Sequence, residues 1–248
     1  MSTILVTGAT DGLGRALSGE LTARGHAVLV HGRSRERAEA VAGEIGAAQA
    51  LLADFARLDD VRALAARAQG VDVLVNNAGI IAAERQLSQH GIELTFQVNH
   101  LAGFLLTLLM LPPRTVNVAS IGQHAPDFDD LMLERGYDGY DAYARSKLCQ
   151  IMFTFELAER RPDLVVNALH PASLMDTKMV RETWGRAHST VAEGAEATAA
   201  LVERDDITGR YFEGLRESRA DPLAYDEQAR RRLWDASAAL TSAPPLAR

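Results

Sequence analysis

Tyr143 and Lys147 stand four residues apart in Tyr143-Ala144-Arg145-Ser146-Lys147. On a helix that spacing brings both side chains out on one face, about 5 to 6 Å apart at Cβ. A phenol has an ordinary pKa of about 10, too high for ready proton exchange near neutrality. A neighbouring ammonium favours the phenolate and draws that value down, which makes the two residues a candidate general acid–base pair. Taken alone, the same spacing is also an ordinary helix surface. Tyr137 and Tyr140 lie just upstream, but only Tyr143 has a lysine one turn away, so the other two are assigned to a loop or a substrate rim. Ser120 ends the run Val116-Asn117-Val118-Ala119-Ser120, and a side chain at the carboxyl end of a strand faces the crevice of an open α/β sheet. Its hydroxyl can hold a carbonyl oxygen, although serine there also serves as a turn former. His124 and His170 lack partners at ligand spacing and are read as structural, so no metal site is expected.

A second group of residues suits phosphate. Thr7-Gly8-Ala9-Thr10-Asp11-Gly12-Leu13-Gly14 joins an apolar run to a helical one. Glycines there permit a tight turn and let backbone N–H groups at a helix N-terminus approach a pyrophosphate, though such turns also occur without a ligand. About 20 residues on, an acidic side chain would bind the ribose 2′-OH of NAD. His31-Gly32-Arg33-Ser34 occupies that place instead. Arg33 and Ser34 offer a guanidinium and a hydroxyl suited to a 2′-phosphate, so NADP is favoured over NAD. Arg35 and Arg37 follow, so Arg33 also reads as a solvated charge. The glycine loop itself carries no basic residue, which keeps NAD open.

These groups need a scaffold that brings strand ends together. Short apolar runs at Ile4 to Val6, Ala27 to Val30, Ala50 to Leu52, Val71 to Val75, Thr115 to Val118 and Leu164 to Leu169 alternate with segments of helical period. Leu13, Leu17 and Leu21 recur every four residues before Gly25, completing a first βαβ unit. Runs apolar enough to be buried on both faces, each followed by a helix, predict a doubly wound parallel sheet with right-handed crossovers and helices on both sides. Ser146 to Arg160 reads as an amphipathic helix, and Pro222 to Leu240 as a late helix anchored by Leu233 and Trp234. Residues 1–240 are expected to form a single domain, with 241–248 a frayed tail containing Pro244-Pro245.

The motifs in chain order resemble the short-chain dehydrogenase/reductase family. They are the glycine loop, Asn76-Asn77-Ala78-Gly79, Asn99, Ser120 and the Tyr143 to Lys147 segment. Val98-Asn99-His100-Leu101, Tyr143 to Arg160 and Gly209-Arg210-Tyr211-Phe212 look like its retinol-dehydrogenase-like branch. The resemblance implies hydride transfer between a nicotinamide and a carbonyl or secondary alcohol, with Tyr143 as acid or base, Lys147 tuning it and holding ribose, and Ser120 steadying the substrate oxygen. It implies that Asn99 anchors a water relaying protons to Lys147. Gly8, Thr10, Asp11, Gly12, Leu13 and Gly14 would cradle the dinucleotide, and Asp54 with Phe55 would meet adenine. Asn76, Ala78 and Gly79 would contact ribose or brace the central strands. Pro171 would line the nicotinamide side, and Thr177 would meet the cofactor pyrophosphate or carboxamide.

Three features depart from the family pattern: Ala172 follows His170-Pro171 where glycine is usual, Asp127 to Gly139 forms an excursion beside the site, and Pro112-Pro113 cuts short the helix that often pairs subunits. A homodimer or homotetramer stays open. A dinucleotide-binding sensor without turnover is the reading from another class, and a sugar-nucleotide epimerase lacks room in the C-terminal region. The composition sets outer bounds. In 248 residues, 26 Lys plus Arg against 33 Asp plus Glu leave a net charge of −7, which argues against nucleic acid as a partner. Cys149 is the lone cysteine, so a reducing, cytoplasmic home is expected. The greasiest stretch, Phe104 to Leu111, is far shorter than the roughly 20 residues that span a bilayer.

Overall fold

The computed structural model describes residues 1–246. Its first half reads β1 (Thr3–Val6), α1 (Gly12–Ala23), β2 (Ala27–Gly32), α2 (Arg35–Ile45), β3 (Gln49–Leu52), α3 (Leu58–Arg67) and β4 (Val73–Asn76). Next, α4 (Leu94–Phe96) passes through a π-helical turn (Gln97–Leu101) into α5 (Ala102–Met110), followed by β5 (Arg114–Val118), α6 (Gly139–Arg160) and β6 (Val165–His170). The remainder is α7 (Lys178–Trp184), α8 (Val191–Glu203), β7 (Arg210–Glu213), β8 (Arg216–Ser218), a 3₁₀ turn (Pro222–Tyr225) and α9 (Glu227–Thr241).

The strands form one sheet in the order β3-β2-β1-β4-β5-β6-β7-β8, parallel except for the β7–β8 pair. Side chains alternate between its faces as a two-residue period demands. Ile4, Val6, Val73 and Val75 enter the layer under α1, α2 and α8. Leu5 and Leu74 enter the layer under α3, α5 and α6. Chain order reverses between β1 and its neighbours β2 and β4, which opens a crevice at their carboxyl ends. The glycine loop leaves β1 at that point.

The doubly wound expectation holds, with differences at its margins. Gly209 to Phe212 leads into β7, and β8 turns back beside it, a pair too short for its period to stand out from the loops. The helix before Pro112 ends just ahead of the two prolines, where the sequence placed its end. It runs to Met110 and stops on Leu111, whose left-handed backbone (φ 42°) closes the turn ahead of the prolines. The excursion from Asp127 contains no helix or strand until Asp138 caps α6 by accepting from Asp141 N–H. Leu133, 5% exposed, plugs it into the molecule, and Asp130 accepts from the N–H groups of Glu134 and Arg135.

Leu233 and Trp234 are buried as anticipated, and they seat α9 on the outer side of α5 and α6. Trp234 meets Phe104 edge-on at 5.2 Å and packs at 6.0 Å from Phe153, while the Arg160 guanidinium lies 4.4 Å over its indole. Arg230 is paired with Glu156, and His100 Nε2 with Ser237 Oγ at 2.8 Å. The first residues of the C-terminal segment make contacts with the body of the protein. Arg62 donates to the Thr241 and Ser242 carbonyls, and Ala243 and Leu246 rest on apolar clusters. Residues 247 and 248 lie outside the described residues. No helix among the described residues is long and apolar enough to cross a membrane.

Candidate active site

The β1–α1 loop is built around close approach. A Cβ at Gly14 would lie 2.3 Å from the Gly8 carbonyl oxygen and 2.5 Å from Asn77 Nδ2, so only glycine lets the helix start there. Gly8 itself has a left-handed backbone (φ +64°), and a Cβ on it would meet the Ala78 Cα at 2.8 Å. Thr7 fastens this junction: its hydroxyl donates to Val75 O and accepts from the N–H groups of Asn77 and Ala78. Leu13 is buried under the loop, while the Asp11 carboxylate accepts from Gly12 N–H at 2.7 Å and caps α1. Thr177 faces the loop from the far side, its methyl 3.1 Å from where a Gly12 Cβ would stand, with its hydroxyl capping α7 through Val180 N–H.

At the end of β2, Gly32 accommodates the Thr10 methyl, which a Cβ would meet at 2.4 Å. Arg33 and Ser34 follow, both exposed, with the Ser34 hydroxyl capping α2. No acidic side chain stands in that turn. His31, 2% exposed, accepts from Gly8 N–H at Nδ1 and bonds the Ala53 carbonyl through Nε2, so it ties the loop to the end of β3. Those partners make it a neutral ring protonated on Nε2. Burial holds it there by pulling its pKa down to about 4, against a smaller upward effect of the bond to Ala53. Asp54, partly exposed, accepts from Ala56 N–H in the turn before α3. The glycine-built cradle, with its shaved contacts and a basic rim at Arg33, fits a nicotinamide dinucleotide.

Two residues assigned to the cofactor side turn their side chains into the core. The Phe55 ring is turned inward, 4% exposed and stacked on His31 at 4.6 Å, so its side chain braces the fold under the adenine end. Asn76, 3% exposed, also faces the core, donating to Thr107 Oγ1 and to Asn117 Oδ1. Of the two roles open to it, bracing the central strands is the one it performs. The parity was present in the sequence: Asn76 shares its strand face with Leu74 and lies in register with Asn117 of β5.

The reactive groups converge beside this cradle. Ser120, 9% exposed, accepts from Gly122 N–H at 3.1 Å, and its hydroxyl neighbours the Tyr143 phenol. Its own carbonyl is held by Tyr211 of β7 at 3.1 Å and by Gln123 at 3.0 Å. Desolvation raises the Tyr143 pKa above its ordinary value, and the neighbouring Ser120 hydroxyl works against that rise. Lys147, 4% exposed, places Nζ 5.4 Å from the centre of the Tyr143 ring. It does not bond the phenol. Nζ instead donates to Val118 O and Gln150 Oε1, both at 2.8 Å, and burial draws its pKa down to about 7. The downward pull of the ammonium on Tyr143 that the spacing suggested is therefore weaker in this arrangement than the upward effect of desolvation.

Asn99 sits in the π-helical turn, 1% exposed. Its amide exchanges two hydrogen bonds with the Ile80 backbone and donates to Ser146 Oγ at 2.9 Å. Such turns concentrate where a helix must bend around a site. Here the side chain fixes the chain after Gly79, whose own Cβ would meet Asn99 Oδ1 at 3.4 Å and Lys147 Nζ at 3.6 Å. Pro171, buried, ends β6 on the opposite side of the crevice. Four supporting residues escaped the sequence reading: Thr7, His31, Gln150 and Tyr211. Gln150 alone carried a usable signal, because a residue three places after Lys147 shares its helix face. Among the described residues no cluster of metal-ligating side chains occurs.

Comparison with known proteins converges on the same reading. Residues 2–187 match the family model described as short chain dehydrogenase. The chain is 34% identical to retinol dehydrogenase 13 of Homo sapiens, over 96% of this chain and 84% of that protein. It is 35% identical to a Streptomyces sp. (strain C5) protein named as a daunorubicin C-13 ketoreductase, over 96% and 91% of the two chains. A solved structure from Mycobacterium paratuberculosis superposes with a TM-score of 0.88 at 30% identity, covering 99% of this chain and 96% of that one. The glycine cradle, the Ser120, Tyr143 and Lys147 cluster and these likenesses together place the chain in the short-chain dehydrogenase/reductase family, on its retinol-dehydrogenase-like branch, as an oxidoreductase acting on CH–OH or C=O groups.

Proposed function

We propose that the protein is an NADP-dependent oxidoreductase that interconverts a carbonyl and a secondary alcohol with Tyr143 as proton donor or acceptor. The observation that carries this reading is the convergence of Ser120, the Tyr143 ring and Lys147 Nζ, the last two 5.4 Å apart, at the carboxyl edge of the sheet beside a glycine-built cradle. A bound nicotinamide supplies or accepts the hydride. Ser120 and Tyr143 would share the substrate oxygen, with Tyr143 giving its proton to that oxygen in reduction and taking it back in oxidation. Lys147 holds positive charge near the phenol and leaves one N–H donor for a ribose hydroxyl. Asn99 keeps the Gly79–Ile80 backbone in place against both.

NADP is preferred because Arg33 projects into solvent at the end of β2 with no acid in the turn to repel a 2′-phosphate. The lone, buried Cys149 suits a reducing, cytoplasmic compartment. The test is Tyr143→Phe. NADPH binding, followed by quenching of protein fluorescence, should be retained, while carbonyl-dependent oxidation of NADPH across a ketone and aldehyde panel falls by at least about 100-fold. Full turnover in this variant would remove Tyr143 from the acid–base role. Tight NADPH binding by the wild-type protein with no turnover on any carbonyl would favour a sensor.

A further inference from the structure

Lys147 reaches the site through the core rather than from solvent. An ammonium has three N–H donors. Two are spent inside the protein, on the Val118 carbonyl of β5 and on Gln150 Oε1, each at 2.8 Å. Gln150 is three residues further along α6 and 3% exposed, so it cannot be exchanging its partner with bulk water. A file of buried bonds holds it in place. Its backbone carbonyl accepts from Thr154 Oγ1, which accepts from Asn117 Nδ2, and Asn117 Oδ1 accepts from Asn76 Nδ2. This stretch of α6 is thereby fastened to β5 and β4. The groups that face Nζ are the Val118 carbonyl from β5, Gly79 after β4, the Asn99 amide from the π-helical turn, and Tyr143 and Gln150 from α6. Lys147 forms no ion pair among the described residues, so neutral acceptors alone stabilise its charge.

We infer that Gln150 is a positioning residue for the acid–base pair: its side-chain oxygen aims Lys147 Nζ beside Tyr143 and keeps that amine protonated in a desolvated setting. Burial already brings the ammonium down to about 7, so small changes in its surroundings decide whether it is charged at working pH. An acceptor bonded to the charged form favours that form, so deleting Oε1 shifts the Lys147 titration downward and replacing the amide by a carboxylate shifts it upward. A neutral amine would give the phenolate no electrostatic support. The inference rests on the assignment of Lys147 to the reacting pair, yet its first test needs no turnover.

Lys147 and Lys178 are the only lysines in the chain. Protein labelled with [ε-¹³C]lysine therefore gives two Cε resonances, and Lys178→Arg identifies which is which. In Gln150→Met the Lys147 midpoint should fall by about one pH unit, and in Gln150→Glu it should rise by a similar amount. The alkaline loss of kcat with any accepted carbonyl should move in the same two directions. A Lys147 midpoint unchanged within roughly 0.3 unit in both variants overturns the inference. A Gln150 that merely filled space would lower the melting temperature of Gln150→Met and leave the lysine titration where it was. Should the methionine variant fail to fold, the glutamate variant decides alone. If the midpoints shift but no carbonyl is turned over, the redox reading fails, and what stands is that Gln150 holds the charge of Lys147, without its role in an acid–base pair.

Discussion

At the scale of single residues, the site is governed by what has been left out as much as by what is present. The absence of a side chain at position 14 brings the start of α1 against Gly8 and Asn77. Gly14→Ala would place a methyl 2.3 Å from a carbonyl oxygen that cannot swing away, so α1 must shift at its first turn. Weakening of NADPH binding by about tenfold or more is expected, together with roughly 1–3 kcal/mol lost in a urea titration. Affinity and stability equal to wild type would show the loop to be looser than described. Chemistry-bearing residues were the most legible part of the sequence, because Tyr143 to Lys147 and the glycine loop are local patterns. The inward turn of Asn76 followed from strand parity with Leu74. The rotation of the Phe55 ring onto His31 did not, since nothing within either short segment announces a partner more than twenty residues away. The bonds of Lys147 to Val118 O and Gln150 belong to the same class, being decided by tertiary packing around one buried nitrogen.

At the scale of elements, β1 to β6, α1 and the Ser146 to Arg160 part of α6 followed from periodicity because each is buried on a face its pattern defines. β7 and β8 have four and three residues, too few for alternation to register, and their place is set by pairing with β6 instead. That pairing matters for the site, since Tyr211 of β7 holds the Ser120 carbonyl. The outer helix pair shows the opposite case: Leu233 and Trp234 were legible as anchors, but their receiving surface was not. Trp234 fills the space between Phe104, Phe153 and the Arg160 stem. Trp234→Ala should cost about 3–5 kcal/mol in chemical denaturation, by lost burial and the cavity left behind. Because α9 lies away from the crevice, NADPH affinity under native conditions should stay close to that of wild type. A change below about 1 kcal/mol would mean that α9 is not seated as described.

At the scale of the whole molecule, the two most deeply buried imidazoles contribute to the response to acid. His31 is depressed to about 4 and His100 to about 3, in both cases by burial, against about 6.5 in an unfolded chain. Between those values and 6.5 the unfolded state binds more protons than the folded one, so stability is complete above about pH 6.5 and declines as pH falls. Each histidine contributes a slope of about 1.4 kcal/mol per pH unit within its window. Urea midpoints measured from pH 7 to 4.5 should fall steadily, and His100→Gln should reduce the steepness. A midpoint independent of pH over that range would contradict both burials. The architecture was legible from the alternation of strands and helices, whereas the covering of α5 and α6 by α9 was not, because it joins segments far apart in the chain, Glu156 and Arg230 being 74 residues apart.

That covering also orders events in time. A polypeptide emerges from the ribosome N-terminal end first, so Phe104 and Phe153 are made well before Trp234. Until α9 docks, the nascent sheet displays an aromatic patch with no lid, a natural landing place for a chaperone or for a neighbouring unfinished copy. Expression yield should therefore depend more steeply on intact α9 residues than on any residue lining the crevice.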